Sequence, residues 1–339
     1  MEAIIHGYLT SYSTLLLILV IAAMLYLLSK GADILVDEAV SLSLHLGVPK
    51  LIIGATIVSL GTTLPEATVS VLAAINGNPD LALGNAIGSI IANTSLIIGL
   101  AALIGNLPVD QLVVRRQGKI KVWSGILLAI VSLPFFPGRK GIISQWVGWL
   151  FIVLLIIYIY ISIKWSKNTD LNSSQSSARI IVKEKSPVII QVLKLIIGII
   201  LVIGSSKILI PTVEITAIRV GIPQSIIAAT LVAFGTSLPE LVTAITAVRK
   251  GHGELAIGNV VGADILNVLF VIGAAAAVTP VGLSVPATFY KLQIPMMLII
   301  IITFRIFAKK RVNEKITIAE GLTLFILYVI YIILNYVLI

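Results

Sequence analysis

The sequence contains no cysteine and little charge. Without cysteine, disulfide bonds and thiolate metal sites are excluded, although this absence does not identify the cellular compartment. Only 12% of the 339 residues are charged, whereas soluble globular domains carry about a quarter. The chain also lacks a G-x-x-x-x-G-K-[ST] phosphate loop, a dinucleotide fingerprint and a plausible catalytic triad, so we expect no enzymatic activity and no cofactor.

Hydrophobic residues dominate the composition. They make up 58% of the chain, and the mean hydropathy is +1.10. Several apolar runs reach the roughly 20 residues that a membrane-spanning helix needs, whereas a transmembrane barrel would show alternating segments of about ten residues. The composition therefore predicts an all-α membrane protein surrounded by the lipid bilayer.

The apolar segments predict ten transmembrane helices. Their approximate bounds are 10–29 continuing to 45, 50–75, 81–107, 119–136, 142–164, 188–218, 223–248, 254–279, 290–308 and 316–338. If the N-terminus is outside, seventeen Lys and Arg residues, Lys121 among them, fall in inward-facing loops and flanks, against four in outward-facing ones. This bias follows the positive-inside rule. We therefore predict extracellular termini, and the net charge of +9 does not indicate binding to nucleic acid.

Two related hexads place charge inside apolar stretches. Residues 61–66 read G-T-T-L-P-E, and residues 235–240 read G-T-S-L-P-E. An ionisable residue in lipid is costly enough to need a function or a partner. Each proline also frees the carbonyl four residues before it, and at membrane depth such an oxygen needs protein, water or a ligand. A cation would satisfy both requirements.

The hexads belong to an internal repeat. A shift of 174 residues aligns 47–100 with 221–274 without a gap, and 23 of the 54 positions are identical. Identical Pro-Glu and Gly-Asn pairs at fixed spacing indicate duplication rather than chance similarity of apolar stretches.

The number of crossings between the copies predicts their relative orientation. Glu66 lies in the second predicted span and Glu240 in the seventh, so the copies cross the membrane in opposite directions. Inverted repeats with interrupted helices and a midplane site are a recurrent plan of secondary transporters. We therefore predict two inverted five-helix halves, 1–165 and 188–339, joined by a cytoplasmic linker at 166–187.

The candidate ligands are all oxygen donors. They are the carboxylates of Glu66 and Glu240, the amides of Asn93 and Asn267, and the hydroxyls of Thr62, Thr63, Ser89, Thr236 and Ser237. Oxygen-only sets suit Ca²⁺, Na⁺, Mg²⁺ or Mn²⁺ rather than Zn²⁺ or Cu²⁺. Two bare buried carboxylates would be strongly destabilising, so one divalent ion, sodium ions or protons must neutralise them.

The paired hexads and the two G-N-x-x-G motifs resemble the alpha repeats of the Ca²⁺/cation antiporter superfamily, and most closely its Na⁺/Ca²⁺ exchanger branch. The resemblance is most specific over 47–100 and 221–274. It implies Glu66 and Glu240 as shared Ca²⁺ and Na⁺ ligands. It further implies Na⁺ coordination by the hydroxyls of the hexads and by other residues, namely the backbone at Ser59 and Ala233 and the side chains of Ser89 and Asn93. Spans one and six, with Gly31, Gly198 and Gly204, would slide across this core.

Three positions depart from the family pattern. Ala263 stands where the first copy has Ser89, and Asn267 stands where some prokaryotic members carry an acid. An extra carboxylate, Asp264, lies beside the second motif and is a candidate for a cation path or the cytosolic vestibule. The number of Na⁺ sites therefore stays open.

These features together predict a Na⁺/Ca²⁺ antiporter of the cell (inner) membrane that works by alternating access as a monomer. The first alternative is an antiporter of the same fold that is coupled to protons or prefers Mn²⁺ or Mg²⁺. An ion channel and an intramembrane enzyme with Glu66 and Glu240 as an acid/base pair are further alternatives.

Overall fold

The structure is a computed structural model that describes residues 7–109, 111–134, 141–173, 187–221, 235–309 and 315–338. Helices dominate it. They are α1 (Thr14–Leu46), α2 (Lys50–Thr62), α3 (Leu64–Ile75), α4 (Pro79–Ile104), α5 (Gln111–Ser132), α6 (Gln145–Ser173), α7 (Val188–Arg219), α8 (Leu238–Arg249), α9 (Gly253–Ala277), α10 (Phe289–Lys309) and α11 (Ile318–Leu338).

Within the described ranges, seven helices are long and apolar enough to cross a membrane, or eight if α2 and α3 form one span. Ten were predicted. The predicted fourth span corresponds to α5, which carries four basic residues between 115 and 121. The first part of the predicted seventh span, 223–234, lies outside the described residues.

Two helices form the centre of the bundle. In α4 and α9, 78% and 89% of the most apolar stretch is buried inside the protein, whereas the value is 28% or less in α1, α6, α7 and α11. Every residue from Leu255 to Leu266 of α9 is buried. The peripheral helices instead expose large apolar side chains such as Ile156 and Ile189, as a lipid-facing surface requires.

The helices near the hexads are interrupted. α2 and α3 meet at Thr63 with a bend of 45°, and Pro65 lies in the first turn of α3. Proline is a usual cause of such a kink because it removes one helical hydrogen bond. Wider π-helical turns occur at Gly54–Val58 in α2, Ala92–Ile97 in α4 and Asn267–Ile272 in α9.

Several of these features recur at the spacing of the internal repeat. The bounds of α3 and α8 differ by 174 residues at both ends, and Pro239 lies in the first turn of α8 as Pro65 does in α3. The π-helical turns of α4 and α9 coincide to within one residue under the same shift.

Four short strands were not predicted. β1 (Leu107–Pro108) pairs with β4 (Lys315–Ile316), and β2 (Gly141–Ile143) pairs with β3 (Leu283–Val285), both antiparallel. Strands of two or three residues leave no periodic sequence signal. Each pair joins one predicted half of the chain to the other.

The α6 helix is longer than predicted. It continues to Ser173, eight residues into the segment predicted as a linker. Adding residues to an existing helix is much easier than starting one, so a helix can outlast its apolar stretch.

The long helices α1 and α7 cross closely. A Cβ on Gly31 would lie 2.8 Å from the Cβ of Leu201, and a Cβ on Gly198 would lie 2.8 Å from the backbone nitrogen of Leu35. Small residues permit this approach of two backbones in a membrane. Gly204 differs, because no described atom beyond the neighbouring backbone of its own helix lies within 4 Å of its virtual Cβ.

Candidate functional site

Two buried acids lie at the centre of the site. Glu66 is in the first turn of α3 and Glu240 in the first turn of α8, and both are fully buried. Among the described residues, none of their four carboxylate oxygens has a hydrogen-bond partner. The two carboxylates are close enough to interact electrostatically. The repeat therefore places two bare acids together, each at the helix break beside its proline.

Hydroxyls of the first hexad lie near this pair. Thr62 and Thr63 approach the Glu240 carboxylate without forming hydrogen bonds to it. The Thr62 hydroxyl donates to the amide oxygen of Asn259 (3.3 Å), while the hydroxyls of Thr63 and Ser237 have no partner in the described part of the chain. Two of the three hydroxyls are thus free to bind an ion.

The second motif of each copy adds amide groups. Asn93 and Asn267 are fully buried in the π-helical turns of α4 and α9, and neither amide has a hydrogen-bond partner within the ranges that the structure describes. The Ser89 hydroxyl lies 3.4 Å from that of Thr236, so one contact joins the two halves. Unpartnered buried amides are uncommon, and each needs an explanation.

Close packing holds these elements in place. A Cβ on Gly54 of α2 would lie 2.6 Å from the carbonyl oxygen of Leu255 in α9. Asn85 of α4 donates to the carbonyl of Glu66 (3.1 Å) and to the hydroxyl of Ser70 (2.9 Å), which braces the start of α3.

Two backbone ligands were predicted, at Ser59 and Ala233, and the structure describes only the first. The carbonyl of Ser59 already accepts a hydrogen bond from the nitrogen of Thr63 (2.9 Å). Ala233 lies outside the described residues.

Asp264 does not face a vestibule. It is 1% exposed and forms an ion pair with Lys121 of α5, whose ammonium nitrogen lies 2.7 Å from its carboxylate. The Thr94 hydroxyl donates to the same carboxylate and accepts a hydrogen bond from Lys121 (2.7 Å). The interpretation of Lys121 as an inward-facing flank charge is wrong, because this side chain is also only 1% exposed.

Sequence reasoning missed Lys121 and Thr94. Lys121 was read as a topology signal because it lies at the start of an apolar segment, close to other basic residues. The available signal was Asp264 itself, since an acid in a membrane span generally has a basic partner in the bundle interior.

The donor set fixes the chemistry that the site can support. Among the described residues, no group of three or more His, Cys, Asp or Glu could hold a metal ion. The unpartnered atoms are instead a carboxylate pair with hydroxyl and amide oxygens. Ca²⁺ and Na⁺ accept such mixed oxygen ligands in flexible geometry, so the residues fit either ion as a transported substrate.

Comparison with known proteins gives consistent matches over most of the chain. The family model described as sodium/calcium exchanger protein matches residues 16–164 and 190–337. Inner membrane protein YrbG of Escherichia coli K12 is 32% identical over 290 residues, 85% of this chain and 87% of that protein. Sodium/calcium exchanger MaX1 of Methanosarcina acetivorans is 27% identical, with 91% of this chain and 95% of that protein covered.

A solved structure matches as well. The sodium-calcium exchanger NCX_Mj soaked with 2.5 mM Na⁺ and 0.1 mM Ca²⁺ aligns with a TM-score of 0.77 at 28% identity, covering 94% of this chain and 98% of that one. The matched exchangers are transporters and not enzymes. The chain belongs to the sodium/calcium exchanger protein family.

Proposed function

We propose that the chain exchanges Na⁺ for Ca²⁺ across the cell membrane by alternating access, with the sodium gradient as the driving force. The observation that carries this proposal is the pair of fully buried, unpartnered carboxylates of Glu66 and Glu240. Such a pair is strongly destabilising unless cations neutralise it. The empty site therefore crosses the membrane poorly, and the release of one ion waits for the entry of another.

The choice of ions rests on the ligand atoms and on the relatives. One Ca²⁺ matches the charge of the two carboxylates, and the hydroxyls and amides nearby raise the number of oxygens toward the six to eight that Ca²⁺ prefers. The names of MaX1 and NCX_Mj both state sodium and calcium as exchanged ions. The proposed site residues are eleven of the twelve that the sequence predicts. The twelfth, Asp264, is instead paired with Lys121.

The proposed architecture has ten spans in two inverted halves, 1–165 and 188–339, with the linker inside the cell and both termini outside. Three observations support it: the repetition of α3 in α8, the matching π-helical turns, and strand pairs that join opposite halves. The weakly buried α1 and α7, which cross at Gly31 and Gly198, would be the elements that slide over the central helices as the site changes sides.

Transport in reconstituted vesicles tests the function. Uptake of ⁴⁵Ca²⁺ is followed against an outward Na⁺ gradient, a proton gradient, or no gradient. We expect uptake only with Na⁺. Uptake driven by protons alone would replace Na⁺ by H⁺ as the coupling ion, and a conductance without any gradient of Na⁺ or H⁺ would identify a channel.

A further inference from the structure

The largely exposed α6 helix has one buried face, and that face carries a tyrosine. The buried residues recur every three or four positions, namely Phe151, Leu155, Tyr158 and Ser162. A hydroxyl is costly to bury without a hydrogen-bond partner. The Tyr158 hydroxyl finds its partner outside its own helix, because it donates to the carbonyl of Ala55 in α2 (3.1 Å).

The accepting carbonyl lies in the π-helical turn Gly54–Val58, which precedes the first hexad. In this turn the Ser59 amide donates to the Gly54 carbonyl, five residues before it, and not to Ala55. The Ala55 carbonyl therefore lacks the donor that an α-helix would supply, and the Tyr158 hydroxyl takes its place. Single π-helical turns within α-helices are frequent at functional sites.

The same carbonyl packs against the second G-N-x-x-G motif. A Cβ on Gly262 of α9 would lie 2.4 Å from the Ala55 oxygen and 2.6 Å from the Ser59 hydroxyl oxygen. The α6 helix packs closely on α9 as well, since a Cβ on Gly273 would lie 2.9 Å from the Cβ of Phe151. The turn of α2 is thus held between the backbone of α9 and a hydroxyl of α6.

The turn leads directly into the candidate ligands. The Ser59 carbonyl accepts hydrogen bonds from the Thr63 amide (2.9 Å) and the Thr62 hydroxyl (3.4 Å). A π-helical turn closes over one residue more than an α-helical turn, so its conversion to α-helix would rotate the hexad by about 100° relative to the residues before the turn. The placement of both threonines therefore depends on this turn.

We propose that Tyr158 is a positioning residue of the cation site. Its hydroxyl stabilises the π-helical turn through the Ala55 carbonyl, and the turn sets the rotation at which the Thr63 hydroxyl meets the ion. Without the Tyr158 hydroxyl the site binds its ion more weakly, because part of the binding energy is then used to restore the turn. This inference rests on the proposed Na⁺/Ca²⁺ exchange and adds to its site a residue outside both copies of the repeat.

Thermal unfolding in detergent at increasing Na⁺ tests the proposal, with choline replacing Na⁺ at constant ionic strength and without Ca²⁺. An ion that binds the folded state raises the melting temperature with its concentration. For Tyr158→Phe, we expect the Na⁺ concentration needed for a given rise to increase about 3–10-fold, the equilibrium equivalent of one hydrogen bond. A residue that only stabilises the fold would lower the melting temperature at every Na⁺ concentration and leave this dependence unchanged.

Tyr328→Phe is the matched control. Tyr328 is 6% exposed, and its hydroxyl has no hydrogen-bond partner in the part of the chain that the structure describes. Removal of this hydroxyl should leave the Na⁺ dependence as it is in the unaltered protein.

A double variant locates the effect. Thr63→Val keeps the shape of the side chain and removes the hydroxyl that Tyr158 is proposed to position. We expect Tyr158→Phe combined with Thr63→Val to bind Na⁺ about as weakly as Thr63→Val alone, because the two residues act on the same contact. Two effects that multiply in the double variant would show that Tyr158 does not act through Thr63.

The outcomes separate this inference from the proposed function. If Na⁺ does not stabilise the unaltered protein, the proposed exchange is wrong and this inference falls with it. If Na⁺ does stabilise it and Tyr158→Phe shows the same Na⁺ dependence, or the two effects multiply, this inference alone is wrong. If Tyr158→Phe does not fold, a crystal structure of the unaltered protein decides. A Tyr158 hydroxyl on the Ala55 carbonyl of a π-helical turn supports the inference, and an α-helical turn there overturns it.

Discussion

A carboxylate that leaves water without a compensating partner costs several kcal/mol, so a fold rarely retains one without a use for it. Here two such side chains, Glu66 and Glu240, interact with one another at the centre of the molecule. Hydroxyls and amides that also lack partners lie nearby. Burial without hydrogen-bond partners makes these residues destabilising when the site is empty. It also leaves their oxygens available as ligands for a cation.

Removing either charge should therefore abolish transport without lowering the stability of the fold. We predict that Glu66→Gln or Glu240→Gln abolishes Ca²⁺ transport and leaves the melting temperature in cation-free buffer equal or higher, because a neutral amide replaces a buried charge of the same shape. Vesicle uptake and thermal unfolding in detergent measure the two effects.

Asp80→Asn is the matched control, since Asp80 is an exposed acid in the first turn of α4. It should leave both transport and stability unchanged. Full transport by a folded Glu66→Gln or Glu240→Gln variant would show that the altered residue is not a ligand.

The two acids were predictable from sequence because an acid and a proline recur together in apolar surroundings. The ion-pair partner of Asp264 was not predictable in this way. Lys121 lies only two positions beyond Lys119, and sequence alone does not show that one of these lysines is exposed and the other buried. Pairing across helices depends on the rotation of each helix, which local sequence leaves undetermined.

At the scale of helices, the crossing of α1 and α7 depends on two glycines. We predict that Gly198→Ala lowers the stability by about 1–3 kcal/mol and slows transport, because the added methyl group would overlap the backbone of α1 at Leu35. Thermal unfolding and initial uptake rates provide the measurement.

Gly204→Ala is the control within the same helix. Its methyl group would meet no described atom within 4 Å apart from the backbone of its own helix, so this change should be neutral or slightly stabilising. Equal losses in both variants would contradict the idea that close approach at Gly198 is what matters. The sequence singled out both glycines alike, and only the packing distinguishes them.

A second helix contact should depend on pH. The ring Nδ1 of His252, just before α9, lies 3.1 Å from the ammonium of Lys50 at the start of α2. Burial and the neighbouring Lys50 charge lower the pKa of His252. The unfolded chain therefore takes up the proton more readily than the folded one, so the contact stabilises the fold at neutral pH and is lost as the pH falls below the ordinary histidine range.

We accordingly predict that the melting temperature of the protein falls as the pH is lowered from about 7 to about 5. The fall should be smaller in a His252→Gln variant, whereas a His45→Gln control should retain it. Parallel pH profiles for the unaltered protein and His252→Gln would contradict this role.

At the scale of the whole molecule, the inverted repeat makes a prediction about sides of the membrane. Asn76, after α3, and Arg249, at the end of α8, lie within one residue of equivalent positions in the repeat and are both exposed. Because the natural chain has no cysteine, single-cysteine variants at these positions need no other change. In intact cells, an impermeant maleimide should label Asn76→Cys and should reach Arg249→Cys only after permeabilisation. Labelling of both from the same side would exclude inverted halves.

The duplication and the helical class follow from sequence, since both leave periodic or repeated signals. The strand pairs and the extension of α6 do not, because short strands and helix ends depend on neighbours that are distant in the chain.

The central claim is that one transported cation is held jointly by Glu66 and Glu240. Crystals of the protein soaked with Sr²⁺ as a heavier substitute for Ca²⁺ would locate that ion by its anomalous scattering. We predict a single strong peak between the two carboxylates, within about 2.3–2.8 Å of oxygens from both, which is lost in Glu240→Gln. A peak bound to Asp264 or to surface acids, with none between Glu66 and Glu240, would contradict the account.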